Sequence, residues 1–296
     1  MNMLCILNPI AGGGRAAQNI APLLRTLSRI SGASCYIMTT QRRGDCAALA
    51  QQAARQGYSL VAAAGGDGTV NEVASGLVGS GATLGIIPVG SGNGLARALR
   101  IPLRYQDACK LLFEGTPKLI DVGHVAGRYF FATSGVGFDA HVGKAYNESP
   151  HHSRGIMPYV QFAVTEFFNY TPENMILRCN GTTYCYTPFV LTVANTEQYG
   201  GGAVIAPGAV PDDGLFDVVM IPQASMLTML SHAPRLFTRN IDTFPNIITH
   251  RASALTVIRN FPGPAHVDGE SFMAEETLEY LIRPRALSVL VPRKFP

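Results

Sequence analysis

Three glycines, an aspartate and a threonine fill five successive positions: Gly65, Gly66, Asp67, Gly68 and Thr69. Glycines let a backbone come close to a ligand and take φ above zero. Thr69 can cap a helix or bond a phosphate. Asp67 is the odd member, since a carboxylate repels phosphate; it can instead orient a hydroxyl or meet a divalent cation, whose charge removes the conflict. Asn71 and Glu72 follow on the first turn of an expected helix. A second turn, "PVGSGNGLAR", sets out Gly90, Ser91, Gly92 and Asn93, with Arg97 one turn on. It offers N–H groups, a hydroxyl and an amide. Two such turns on neighbouring strand ends would form one polyphosphate cradle.

Two acidic turns lie further along. In "AVPDDGLFDV", Asp213 and nearby carbonyls are oxygen ligands of the kind Mg²⁺ or Ca²⁺ takes, and an ordinary Asp-Gly turn explains the same letters. In "AHVDGESF", Asp268 and Glu270 are two apart, so on an extended chain they would point to one side. One could take a proton while the other holds a metal or water.

A further turn, "NPIAGGGRAA", matches G-x-G-x-x-A at Gly12, Gly14 and Ala17. The dinucleotide fingerprint also wants an acid at the end of the second strand, about 20 residues on. Thr39 and Thr40 stand there instead. That leaves a phosphate-binding helix start of another kind, or a plain tight turn. No G-x-x-x-x-G-K-[ST] occurs; "FDAHVGKA" lacks the first glycine and the hydroxyl. G-x-S-x-G does not fit around Ser91, which argues against a serine hydrolase.

The elements that must position these turns alternate. "MLCILNP", "SCYIMTT", "SLVAAAGG" and "TLGIIPVG" read as strands. "RAAQNIAPLLRTLSRIS", "DCAALAQQAARQG", "VNEVASGLVG", "NGLARALR" and "YQDACKLLFEG" read as helices. This alternation predicts a parallel sheet with helices on both faces, and ligands then bind beyond the carboxyl ends of the strands, where the glycine turns lie. After about residue 120 strands follow one another: "KLIDVGHVAG", "RYFFATSGVG", "MILRCNG", "TTYCYT", "PFVLTVAN", "GLFDVVMIP", "ALTVIRN" and "ALSVLVP". An Asn-Gly hairpin signal sits in "CNGTTYCY". Two helical stretches, "MPYVQFAVTEFFNY" and "SMLTMLSHAPRLF", interrupt them. The expectation is an α/β domain over 1–121 and a mostly antiparallel β domain over 122–283.

The 296 residues are 47% hydrophobic and only 15% charged, enough for a large core. No run of about 18 apolar residues free of charges and breakers appears, so no membrane span is expected. "MNMLCILNP" lacks a basic start and reads as a strand rather than a signal peptide. A net charge of +3 does not call for nucleic acid. No acid precedes Asp45, whereas Arg15, Arg25, Arg29, Arg42 and Arg43 do, which suits an anionic ligand or a solvated helix face. The six cysteines form no CxxC pair and read as reduced and structural.

Taken together and in order, "NPIAGGG", "GGDGTVNEV", "PVGSGNGLA", "PDDGLFDV" and "VDGE" resemble the diacylglycerol kinase catalytic-domain family of lipid kinases, which includes sphingosine and ceramide kinases and is distantly related to NAD kinases. The resemblance covers nearly the whole chain. It implies an N-terminal α/β nucleotide lobe, a C-terminal β-sandwich lobe, an active site in the cleft, and a tail, 284–296, that returns to the first lobe. It implies ATP held by Asn8, Thr40, Gly65, Gly66, Asp67, Gly68, Thr69, Asn71, Glu72, Ser91, Gly92 and Asn93. A family Mg²⁺ site matches Val210, Asp213 and Leu215, the first and last through backbone carbonyls. Glu270 matches the family's proton acceptor. Asp67, Asp121 and Asp268 match the acidic network around catalytic Mg²⁺ and the acceptor hydroxyl.

The implied reaction moves the γ-phosphate of ATP to a lipid hydroxyl, with Glu270 or Asp67 taking the proton. Many diacylglycerol kinases have an Asp where this chain has Gly94; "GSGNG" and "FFATSGVGFDA" are similar to the sphingosine and ceramide kinase branch. Both lipid classes stay open. The length is that of a bacterial member. With neither a span nor a signal peptide expected, the reading is a cytoplasmic protein whose apolar surface could meet a partner or, for a lipid substrate, the inner membrane face, and a homodimer stays open. The two apolar helical stretches would flank a lipid cleft, dock on a bilayer or pack in the core. An NAD kinase and a non-catalytic lipid-binding protein on the same scaffold are the alternatives.

Overall fold

A computed structural model describes residues 2–42, 44–148, 156–293 and 295, with side chains described except at 15–17, 147 and 156–159. Arg43 therefore lies outside the described residues. The chain forms two compact units, Met1–Val122 with Pro284–Pro296, and Gly123–Arg283.

The first unit alternates as expected. Its strands are β1 (Asn2–Leu7), β2 (Ser34–Thr39), β3 (Leu60–Gly65), β4 (Thr83–Pro88) and the start of β5 (Thr116–Val125). Its helices are α1 (Arg15–Ser31), α2 (Asp45–Arg55), α3 (Asp67–Leu77), α4 (Gly94–Ala98) and α5 (Tyr105–Glu114). β2, β1, β3 and β4 lie side by side in parallel. β3, "LVAAAG", is buried at every residue, and its small side chains let helices approach both faces. Met3, Cys5, Ile20, Leu24, Ala62, Ile87 and Leu112 form one core cluster of this unit. On α3, a Cβ at Gly76 would stand 2.3 Å from the Ala47 carbonyl, so this glycine sets the closeness of α2 and α3. "NGLARALR" is a shorter helix than its pattern predicts, ending at Ala98 before Arg100 in a left-handed turn.

The second unit is built from β6 (Arg128–Phe130), β7 (Thr133–Gly137), α6 (Phe138–Glu148), α7 (Ile156–Phe167), β8 (Met175–Cys179), β9 (Thr182–Tyr186), β10 (Pro188–Ala194), β11 (Gln198–Gly200), β12 (Ala203–Val204), β13 (Phe216–Pro222), α8 (Met226–His232), β14 (Ile248–Ala252), β15 (Ala254–Ile258), β16 (Gly263–Val267), β17 (Glu270–Ala274) and the first part of β18 (Thr277–Val291). One antiparallel sheet runs β14-β13-β10-β7-β16-β17. A second face joins β9, β8, β15 and residues 277–281 of β18. Phe130, Val136, Leu191, Phe216, Leu255, Val257, Leu278 and Tyr280 fill the core between these layers, as a sandwich requires.

Several elements differ from the sequence reading. "RYFFATSGVG" is two strands, because residues 131–132 leave the ladder. "SMLTMLSHAPRLF" is helical only to His232; a short 3-10 turn then carries Pro234, whose ring and missing N–H stop an α-helix. α6 and the β16–β17 hairpin have no clear periodic signal, since "FDAHVGKAYNE" and "GPAHVDGESFMA" mix charges, Gly and Pro. "ALSVLVP" is the end of the fifteen-residue β18, which is carried past Pro284 by a left-handed Arg285 (φ 52°). Ser288 and Val289 of this strand pair in parallel with Thr83 and Leu84 of β4.

Candidate functional site

In the first unit the two glycine turns lie against each other. A Cβ at Gly90 would stand 2.8 Å from Gly66 Cα, and one at Gly92 would stand 2.6 Å from Asp67 Oδ2. A Cβ at Gly65 would strike Thr69 at 2.5 Å. Bareness here serves close approach. Left-handed φ, which the sequence assigned to the glycines, occurs in these turns at Asn93 (52°) instead.

Asp67 holds the pair together. Asn93 N–H donates to Asp67 Oδ2 at 2.8 Å and Gly94 N–H donates to Oδ1 at 2.7 Å. Its carboxylate thus caps the start of α4, a favourable end for negative charge. Hydrogen bonds to a charged group contribute about 1.5–3 kcal/mol each. Asn93 clamps its own loop, accepting from Gly90 N–H at 3.1 Å and donating to Gly90 O at 2.7 Å. Arg97 Nε donates to Gly92 O at 3.0 Å. Ser91 is exposed at the tip.

Asn8, at the end of β1, donates through Nδ2 to Thr69 Oγ1 at 3.0 Å. Thr69 is buried, so its hydroxyl fixes the β1 end rather than standing open to a phosphate. Glu72 accepts from Gly44 N–H and Cys46 N–H, both at 3.2 Å, and so caps α2. Burial, and then the Glu72 charge, push the Cys46 thiol up to about 12. Thr40 follows β2, its N–H donating to Leu7 O at 3.0 Å. Asn71 Oδ1 accepts from Ser75 Oγ at 3.4 Å. Asn8, Thr69, Asp67, Asn93 and Gly94 therefore form one rim at the carboxyl ends of β1, β3 and β4. Nearby, Gly12, Gly13 and Gly14 all have left-handed φ and lead into α1, which has Gly14 as its N-cap and no acidic residue in its first turn. Arg25 and Arg29 are exposed on α1 and form part of a solvated helix face. Asp121 on β5 is fully buried and accepts from Arg285 N–H at 2.7 Å.

In the second unit, Asp268 and Glu270 do not lie along one extended run. Val267 pairs with Glu270, so Asp268 (φ 47°) and Gly269 (φ 83°) are the two-residue turn of the β16–β17 hairpin. The chain reverses between the two carboxylates, which overturns the same-side expectation. The Asp268 carboxylate accepts from Phe131 N–H at 2.9 Å, Ala132 N–H at 2.8 Å and Thr133 N–H at 3.1 Å. Glu270 is half-buried at the first position of β17.

Beside this hairpin is a network that sequence reasoning missed. His266 Nε2 lies 3.0 Å from Asp139 Oδ2, and Tyr199 OH donates to the same oxygen at 2.9 Å. Asp139 Oδ1 accepts from Ala140 N–H at 2.8 Å. Gly135 gives this group its room, since a Cβ there would stand 2.8 Å from His266 Nε2. The "SGVGFDA" stretch carried the signal, a bare strand running into an acid at a helix start.

The expected cation turn is also in this unit. Asp213 Oδ1 accepts from Leu215 N–H at 3.0 Å, and Oδ2 is paired with the Arg251 guanidinium. A guanidinium on the one side-chain ligand does not fit a resident Mg²⁺ held by Val210, Asp213 and Leu215. Among the described residues, no three His, Cys, Asp or Glu side chains gather as a metal site. The six cysteines are free.

An α/β unit with paired glycine turns, followed by a β-sandwich, is the class the geometry defines. Residues 2–125 match the diacylglycerol kinase catalytic domain, and residues 132–291 match the YegS C-terminal NAD kinase beta sandwich-like domain. A probable lipid kinase YegS-like of Pseudomonas putida is 30% identical over 274 residues, covering 90% of this chain and 89% of the relative. A diacylglycerol kinase of Bacillus subtilis is 28% identical over 90% of this chain and 88% of its own length. The solved structure of a diacylglycerol kinase from Bacillus anthracis superposes with a TM-score of 0.76 at 21% identity, covering 100% of this chain and 98% of that one. The chain belongs to the diacylglycerol kinase catalytic-domain family, with the YegS-type C-terminal domain.

Proposed function

We propose that the protein is an ATP- and Mg²⁺-dependent lipid kinase that transfers the γ-phosphate to a lipid hydroxyl. The observation that carries this reading is the rim of paired glycine turns, Gly65–Thr69 and Gly90–Gly94, locked by Asp67 in a chain of this family. Asp67 already takes the first N–H groups of α4, so the N–H groups that would meet phosphate oxygens are those of the Gly66–Thr69 turn at the start of α3, preset and needing no reorganisation during reaction. Mg²⁺ arriving with ATP would neutralise charge on the transferring phosphate. Asp67 acts by fixing the Ser91–Asn93 loop where the nucleotide sits. Asn8, Thr69 and Glu72 act likewise, through the β1 end and the start of α2. Glu270 takes the proton of the acceptor hydroxyl.

The test is transfer of label from γ-labelled ATP to a panel of diacylglycerol, sphingosine, ceramide and, as the soluble alternative, NAD. Label in one lipid class and none in NAD is the expected result. Label in NAD alone, or lipid binding with no transfer, would sink the reading. Glu270→Gln is expected to lower kcat about 10²-fold or more while leaving ATP affinity unchanged.

Lipid is reached by peripheral contact with a membrane. Among the described residues, no helix is long and apolar enough to cross one. Just beyond α7, Phe168 is 75% exposed, whereas Phe167 packs against Phe138 and Phe189. The outward ring is therefore the one to test. Phe168→Glu should reduce cosedimentation with anionic vesicles, and unchanged cosedimentation would remove this residue from the contact.

A further inference from the structure

We infer that in this chain the Arg251 guanidinium takes the place of a divalent cation at the Asp213 turn. β13 and β14 pair antiparallel with Asp217 directly opposite Arg251. Side chains of directly opposed residues lie on one face of the sheet. The register thus delivers a guanidinium to the acidic end of β13, where the turn 211–215 begins the strand. Arg251 Nε stands 3.4 Å from Asp217 Oδ1, and its Nη2 is bonded to Asp213 Oδ2. One planar cation bridges two carboxylates, as a metal ion would. Asn180 Nδ2 donates to the Arg251 carbonyl at 2.8 Å and pins the backbone that carries it.

The remaining Asp213 oxygen is turned back on its own chain, accepting from Leu215 N–H. Both oxygens of the one side chain proposed to ligate are thus engaged. Burial raises the Asp217 carboxyl above the ordinary range, and Arg251 opposes that shift. Mg²⁺ gives up its water reluctantly and demands near-octahedral oxygen ligands. It would have to displace a guanidinium that two carboxylates share. The cation requirement of this chain is then confined to the metal that arrives with the nucleotide. This inference concerns the turn alone and stands whether or not the kinase reading does.

Elemental analysis and Mg²⁺ titration without nucleotide test it on the full chain. After gel filtration in Mg²⁺ buffer, the wild type should carry far less than about one Mg²⁺ per chain, with a melting temperature unmoved by added Mg²⁺. Arg251→Met should gain a Mg²⁺-dependent rise of about 2–4 °C or more, absent when Asp213→Asn is added. A wild type that retains Mg²⁺, and loses it on Asp213→Asn, would overturn the inference. So would a folded Arg251→Met that gains no response. If Arg251→Met does not fold, the metal content of the wild type and Asp213→Asn decides alone.

Discussion

Asp67 and Asp268 sit in turns that look alike as letters, "GGDGT" and "VDGE", yet in separate units they solve one problem with different reach. Asp67 ties two loops that both follow strands of the parallel sheet, accepting two backbone N–H groups. Asp268 sits at the tip of a hairpin and gathers three N–H groups from the single stretch 131–133. Residues 131–132 of that stretch leave the ladder between β6 and β7, and Thr133 begins β7, so the N–H groups at this break need other partners. Asp213, a third acid before a glycine, is held by an arginine instead. An aspartate in a glycine-rich turn is thus first a fixer of backbone, and its chemistry depends on what it fixes.

The comparison predicts an order of damage. Asp268→Ala orphans three N–H groups and should cost most, about 3 kcal/mol or more in urea unfolding. Asp67→Ala orphans two and should cost about 2–4 kcal/mol, so this variant would not leave its loops intact as a purely chemical role would. If Asp67→Ala proves the more damaging, the counting of N–H partners is wrong. Gly65→Ala comes next, at about 1–3 kcal/mol of overpacking against the buried Thr69. The smallest effect is at Glu72→Gln. It removes a charge that raises the Cys46 pKa, so alkylation of Cys46 near pH 9 should quicken slightly while staying far slower than at the exposed Cys185. Equal rates before and after would detach Glu72 from the start of α2.

Much of the first unit was legible because its signals are local. Strand–helix alternation and the glycine turns at strand ends place Asn8, Asp67 and Asn93 at the carboxyl ends of neighbouring strands. What the letters could not show is that Gly66 and Gly90 exist for each other, since no window of sequence contains both. The same holds for Glu72 reaching Gly44 and Cys46, and for Arg251 meeting Asp213 across a sheet register. In the second unit, Asp268 and Glu270 misled because a period-two reading assumes an extended chain, and Asp-Gly with left-handed φ at both residues makes a reversal. Asp139 escaped because its partners, His266 and Tyr199, are remote in sequence.

Asp67→Asn compared with Glu270→Gln separates a residue that fixes the nucleotide loop from one that takes the proton. An amide at position 67 keeps one acceptor oxygen, loses the charge and turns an NH₂ toward a backbone donor. Nucleotide affinity should weaken about tenfold or more, together with a lower melting temperature. Glu270→Gln should bind ATP as the wild type does and lose turnover. An Asp67→Asn enzyme that binds ATP and melts as the wild type does, yet transfers no phosphate, would contradict the account and return Asp67 to the reacting atoms.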